Sequence, residues 1–302
     1  MENNTELSYE QAVQLVQDYK QESGKTQTVI ANELGISDAA LSSFLRGTYK
    51  TPHMIVPKVA ELLKVTGKRK VAPKEPPFAE TTVAKRVMEA ISYCHLQGKI
   101  AVVYGDAGVG KTQAVRAYLR ENSLAIGITI SPSYASITGV NELIADQLGI
   151  RERVARRIYA EIIGKLKDSG RVLIIDEAQH LTVRALNHLR CMSDESGVGI
   201  ALIGNEEVYT KMKGSGKADF AQLFSRIGMR REVLTTTTTK DDIRKVFAEA
   251  HLEEDALELL YRIARTAYGL RGAVNVFVNT AAVFGSVDAP SLARMGKEMN
   301  IG

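Results

Sequence analysis

The run that most narrows the possible folds is Gly105-Asp106-Ala107-Gly108-Val109-Gly110-Lys111-Thr112, which fits GxxxxGK[ST] between the apolar segment IAVVY and the helix-forming TQAVRAYLR. A glycine-rich turn from a buried strand into a helix aims successive backbone N–H groups at phosphate oxygens, and the helix adds the positive end of its dipole. In that setting Lys111 reaches the β- and γ-phosphates, and the Thr112 hydroxyl is placed to ligate Mg²⁺. A chance glycine-rich turn would not need both flanking elements. The motif therefore implies an α/β fold with a parallel sheet and a bound nucleotide.

The remainder of the chain fits such a sheet. Short apolar runs at Ile100–Tyr104, Ala125–Ile130, Val172–Ile175, Gly199–Ile203 and Arg231–Leu234 alternate with helical stretches, which predicts five parallel strands covered on both faces. From Thr239 onward the segments Asp241–Ala250, Glu253–Ala267 and Gly272–Phe284 carry apolar residues at three- and four-residue spacing, the pattern of a small helical bundle or lid. The threonine run 235–239 reads as a strand end passing into the first of these helices. Three prolines and a basic cluster in GKRKVAPKEPP predict an extended linker. The expected domains are thus residues 1–66, a linker 67–80, an α/β core 81–234 and a helical lid 235–302.

A second acidic motif lies 60-odd residues after the glycine-rich loop, where the buried strand VLII ends in Asp176 and Glu177. Adjacent carboxylates at a strand tip can divide the work, Asp176 holding the metal and Glu177 polarising the attacking water. Asn205 ends the strand GIALIG and is placed to orient that water. Arg226 precedes the last strand, where an arginine can project into the nucleotide of a neighbouring subunit, with Arg230 as the competing finger. Arg271, in Gly269-Leu270-Arg271, can reach back to the γ-phosphate from the helical bundle. His180 has no second ligand at helical spacing and reads as a packing or capping residue rather than a metal ligand.

The N-terminal segment QTVIANELGISDAALSSFLRG carries Ala31, Gly35, Ser37 and Leu41 at the spacing of a repressor-type helix-turn-helix, with Ile30, Leu34, Ile36, Leu41, Phe44 and Leu45 as its core. Its second helix offers Ser37, Ser42 and Ser43 but no Arg, Lys, Asn or Gln at the front positions for bidentate base contacts, which implies backbone-dominated, weakly selective DNA binding. The basic run Arg151, Arg153, Arg156 and Arg157 is a second candidate DNA surface, alternatively a solvated helix face, and Lys211, Lys213 and Lys217 are further candidates. Net charge is +4, and the excess sits in the middle, with 22 basic against 18 acidic residues between positions 71 and 234. Cys94 and Cys191 lack the spacing of a zinc site and are expected to be reduced, buried thiols. MENNTELSYEQ lacks the pattern of a signal peptide and no long apolar run follows, so a cytoplasmic protein without membrane partners is expected.

In this order the motifs resemble those of the AAA+ ATPases: glycine-rich loop, Asp-Glu strand, polar sensor Asn205, trans arginine Arg226, and a helical lid with sensor Arg271. The resemblance spans residues 81–302. Within that class the runs IIDEAQHL, GNEEVYTKMKG, FAQLFSRIGMR and PPFAETTVAKRV resemble the transposition ATPases of Mu-like phages. That resemblance implies ATP and Mg²⁺ as cofactors and a protein that assembles as a helical oligomer on double-stranded DNA. It further implies a role in transposition target selection, activation of a partner transposase, and the cytoplasm of a bacterial host. Two other roles share the nucleotide motifs, a replication helicase loader and an ATP-switched helix-turn-helix regulator.

Overall fold

The computed structural model describes residues 7–71, 73–213 and 226–301, which fall into two compact units divided at Pro73 and Lys74. Lys217 lies outside the described residues.

The first unit holds four helices, α1 (Tyr9–Ser23), α2 (Gln27–Glu33), α3 (Asp38–Leu45) and α4 (Val56–Val71). Side-chain caps set the starts of the first three: Ser8, Thr26 and Ser37 each accept a backbone N–H from three residues ahead. Between α2 and α3 the chain turns at Gly35 with φ of 62°. Ala31, Leu34, Leu41 and Phe44 are buried together with Ala12, Val16, Ile55 and Val59. Ile36 and Leu45, expected in the core, pack at its edge. On α3, Ser37 spends its hydroxyl on the cap, Ser42 and Ser43 are half-buried, and Asp38 and Ala39 are exposed. The expected extended linker is helical over its first part, because α4 continues through Gly67 to Val71. Lysine and arginine are good helix formers, and a single glycine costs only about 1 kcal/mol, so Pro73 rather than the basic cluster is where the helix has to end.

The second unit contains a five-stranded parallel sheet: β1 (Ile100–Gly105), β2 (Ala125–Thr129), β3 (Val172–Asp176), β4 (Gly199–Ile203) and β5 (Ile227–Val233), in the order β2-β3-β4-β1-β5. Alternate residues of the central strands feed two cores. Ile100, Val102, Leu173, Ile175, Ile200 and Leu202 face α7 (Ile137–Gln147), α8 (Ala155–Leu166) and α9 (Val183–Ser196). Ala101, Val103, Val172, Ile174, Ala201 and Ile203 face α5 (Thr82–Gln97) and α6 (Lys111–Glu121). Burial on both faces is why these strands read as unbroken apolar runs. Strand β5 begins four residues earlier than its apolar tail suggests, since as an edge strand it alternates exposed and covered positions and carries Arg230 and Glu232 outward.

Helix α10 (Glu206–Lys213) follows β4, and α11 (Lys240–Val246), α12 (Glu254–Ala264), α13 (Gly269–Phe284) and α14 (Ala289–Glu298) form the C-terminal bundle. Phe247, Leu260, Ile263, Val276, Leu292 and Met295 make its core. The threonine run forms a 3-10 turn and then caps α11 through Thr239. Asp242, 1% exposed, ties this bundle to the sheet domain: its Oδ1 accepts from the backbone N–H of Thr82 at 2.7 Å and the Thr82 hydroxyl at 3.1 Å. Among the described residues no single helix is long and apolar enough to cross a membrane. Cys94 is buried as expected, whereas Cys191 is half-buried.

Candidate functional site

The glycine-rich loop is built by close backbone contact. At Gly105, φ is 141° and an added Cβ would lie 1.9 Å from the Val233 carbonyl, so β1 can hand over to the loop there only without a side chain. Asp106 anchors the same corner, its backbone N–H donating to Val233 O at 3.0 Å and its carboxylate accepting from the Thr235 N–H at 2.7 Å. Gly105 and Asp106, both expected at the nucleotide, thus stand behind the loop as anchors, while Ala107, Gly108, Val109, Gly110, Lys111 and Thr112 line a cleft of about 760 Å³.

Lys111 opens α6, and its ammonium is folded onto the loop, donating to the carbonyls of Gly105 at 3.0 Å and Asp106 at 2.6 Å. Burial holds it below the usual lysine range, against the opposing pull of Asp176, Glu177 and Asp106. A half-desolvated cation beside polarised carbonyls is ready to exchange them for phosphate oxygens.

Asp176, at the buried tip of β3, accepts from the Thr112 hydroxyl at 2.8 Å and from the Glu177 N–H at 2.9 Å. Burial raises its pKa, and these two hydrogen bonds partly oppose the rise. Among the described residues no group of three or more His, Cys, Asp or Glu side chains gathers around a point. The donor set is one hydroxyl and one carboxylate, both hard oxygens, which fits a Mg²⁺ that keeps waters and takes the rest of its ligands from phosphates.

Glu177 sits in the left-handed region with φ of 56° and ψ of 35°, a strained position for a residue with a side chain. Its carboxylate lines the cleft and accepts a hydrogen bond from the Gln179 side-chain amide. Asn205 lines the cleft too. Its N–H donates to Gln179 Oε1 at 3.3 Å, and its Oδ1 accepts from the Glu207 N–H at 2.9 Å, capping α10. Arg271 enters from α13, where its backbone N–H donates to the Gly108 carbonyl at 2.9 Å. Thus Lys111, Thr112, Glu177, Asn205 and Arg271 converge on one cleft, and Asp176 meets it through Thr112.

Arg226 does not line this cleft. It is exposed at the foot of β5, with its Nε 3.4 Å from Asp194 Oδ1. Arg230 lies within β5 and is exposed. Arg151 and Arg153 occupy the loop before α8, and Arg156 and Arg157 its first turn, all exposed, while Ile162 and Leu166 bury its other face. Of these, Arg157 pairs with Glu152 at 3.7 Å. His180 is exposed at the end of its turn, so of the two roles expected of it, packing or capping, packing does not hold. Lys211, a further candidate for the DNA surface, is half-buried on α10 and donates to the Gln179 carbonyl.

Two parts of the site carry no signal in the sequence that marks them as such. The segment Glu75–Ala79 lines the cleft together with Val246, Leu270, Val274 and Asn275 of the bundle. The PPFAE stretch reads by its prolines as linker and shares in the resemblance to the Mu-like transposition ATPases, and neither signal places it at the cleft. Gln179, two residues after the acidic pair, carries no motif of its own.

A glycine-rich loop entering a helix at the carboxyl ends of a β2-β3-β4-β1-β5 sheet, with an acidic strand tip beside it and a helical bundle closing over it, defines an AAA+ P-loop ATPase. Residues 95–212 match the AAA domain family. Among solved structures, Cdc6p from Pyrobaculum aerophilum superposes with a TM-score of 0.53 at 17% identity, covering 75% of this chain and 68% of that one, a likeness of fold. The chain is 34% identical over 256 residues to the Mu-like prophage FluMu DNA transposition protein B of Haemophilus influenzae, spanning 82% of this chain and 88% of the relative. It is 34% identical over 250 residues to the ATP-dependent target DNA activator B of Escherichia phage Mu, spanning 80% and 78%. The chain belongs to the Mu-type transposition protein B family of AAA+ ATPases.

Proposed function

We propose that this ATPase binds double-stranded DNA in its ATP state as a helical oligomer, marks that DNA as a transposition target and activates a partner transposase. The family's printed names, DNA transposition protein B and target DNA activator B, support the transposition role. The observation that carries the oligomer is the division of the site: Arg271 lines its own chain's cleft, whereas Arg226 stands exposed outside it. An arginine completing a neighbour's site makes each nucleotide an interface ligand, so ATP favours assembly and hydrolysis favours release.

In this reading the loop amides and Lys111 hold the phosphates, and Arg271 meets the γ-phosphate from the bundle. Thr112 and Asp176 hold Mg²⁺, which supplies charge neutralisation on the phosphates when bound. Glu177 takes a proton from water as the water oxygen bonds to the γ-phosphorus. The bond from that phosphorus to the β–γ bridging oxygen breaks, leaving ADP and phosphate. Asn205 orients the water.

The DNA surface is assigned to the arginines before and at the start of α8, with the helix-turn-helix as a second contact. Arg156 and Arg157 sit at the positive end of a helix that has no side-chain cap, where cations cost stability rather than add it. A phosphate backbone outside the chain would offset that cost, which supports the assignment. Electron microscopy of the protein with duplex DNA tests the whole reading. Filaments in ATP that dissolve in ADP are expected; identical particles in both nucleotides would overturn it.

A further inference from the structure

We propose that Gln179 is a positioning residue for ATP hydrolysis, holding the Glu177 carboxylate in register with the end of β4. The inference rests on the reading of Glu177 as the base. Gln179 is 9% exposed in the 3-10 turn Ala178–His180 and lines the cleft with Glu177 and Asn205. Its two amide ends have opposite partners: Nε2 donates to Glu177 Oε2, and Oε1 accepts the Asn205 N–H at 3.3 Å. A flipped amide would set oxygen against carboxylate and N–H against N–H, so the orientation is fixed by chemistry.

The surroundings are shaped to keep that amide in place. Lys211 pins the turn by donating to the Gln179 carbonyl from α10. Gly204 leaves the room, since a Cβ there would come within 2.4 Å of Gln179 Oε1. Glu177 itself has a long side chain on a left-handed backbone, and among the described residues Gln179 is the side chain hydrogen-bonded to its carboxylate. Without the amide the carboxylate regains rotamers, and a base displaced by about 1 Å loses on the order of a hundredfold in rate. A leucine would fill the same buried space but could join neither strand end.

The test is a double-mutant cycle read by single-turnover ATP hydrolysis and by ATP affinity. Gln179→Leu keeps the volume and removes both hydrogen bonds. Its hydrolysis rate should fall roughly 10- to 100-fold with ATP affinity within about threefold of the parent. Gln179→Glu exchanges only the donor for an oxygen and should lose at least as much, which keeps the test decisive if the leucine variant folds poorly. In the Glu177→Gln background, adding Gln179→Leu should change the residual rate by less than about twofold, because a residue acting through Glu177 has nothing left to position. A near-parental rate for both Gln179 variants, or losses that multiply in the double variant, would overturn the proposal while leaving Glu177 as base. Undiminished hydrolysis in Glu177→Gln alone would overturn the base reading, a separate and distinguishable result.

Discussion

The backbone N–H of Arg271 donates to the carbonyl of Gly108 at 2.9 Å, so the start of the last long bundle helix is hydrogen-bonded to the loop that holds phosphate. The contact depends on two glycines. A Cβ on Gly269 would lie 2.8 Å from the carbonyl carbon of Gly108, and a Cβ on Gly108 would lie 2.7 Å from the Tyr268 carbonyl. Both have positive φ, 63° and 73°.

Gly269→Ala is therefore expected to push the bundle off the loop. The strain of a left-handed alanine is worth about 1 kcal/mol, so the protein should still fold, with ATP affinity reduced and its thermal stabilisation by ATP diminished. Titration calorimetry and thermal unfolding with and without ATP read the two effects. Unchanged ATP affinity would mean the bundle does not register the nucleotide through this contact.

Removing Lys111 and disabling Glu177 should separate binding from chemistry. Lys111→Ala should abolish ATP binding and stable DNA association while leaving the fold intact, since the ammonium is held partly desolvated. Glu177→Gln should bind ATP and stay on DNA, with turnover lower by about 10²–10⁴. Filter binding and phosphate release distinguish them, and rapid release of Glu177→Gln from DNA in ATP would count against the assignment.

Arg226 calls for two subunits. Arg226→Ala should bind ATP through its own loop and lose hydrolysis by about 10³–10⁵. Mixed with Lys111→Ala, which still carries an intact Arg226, it should recover part of the activity. If mixed oligomers form without recovery, while Arg230→Ala recovers in the same pairing, the finger is Arg230.

Burial pushes the Cys94 thiol up to about 12, with its Sγ donating to the Ile200 carbonyl at 3.3 Å. The folded pKa lies above the unfolded one, so the thiol's contribution to stability is complete below about 9 and is lost as pH rises toward 12. Cys94→Ala should flatten the alkaline part of the stability curve between those limits, measured by urea unfolding. At pH 8 an alkylating reagent should modify Cys191 and spare Cys94 in the native protein; equal labelling would show the Cys94 site to be open.

What the sequence by itself determined is whatever local chemistry dictates. The loop from Gly105 to Thr112 declares itself because backbone amides can converge on phosphate only where side chains are small, and β3 and β4 because strands buried on both faces must be apolar throughout. Asp176, Asn205 and Arg271 were visible as polar residues at the ends of such elements. The tertiary structure alone decided matters that depend on residues far apart in the chain. It set the Asp106 carboxylate against the Thr235 N–H, brought Glu75–Ala79 into the lining of the cleft, and set Gln179 between Glu177 and Asn205. No periodicity or motif encodes these, because each is a contact between groups whose meeting is set by strand order, and strand order is fixed by the packing of the whole sheet rather than by any one segment.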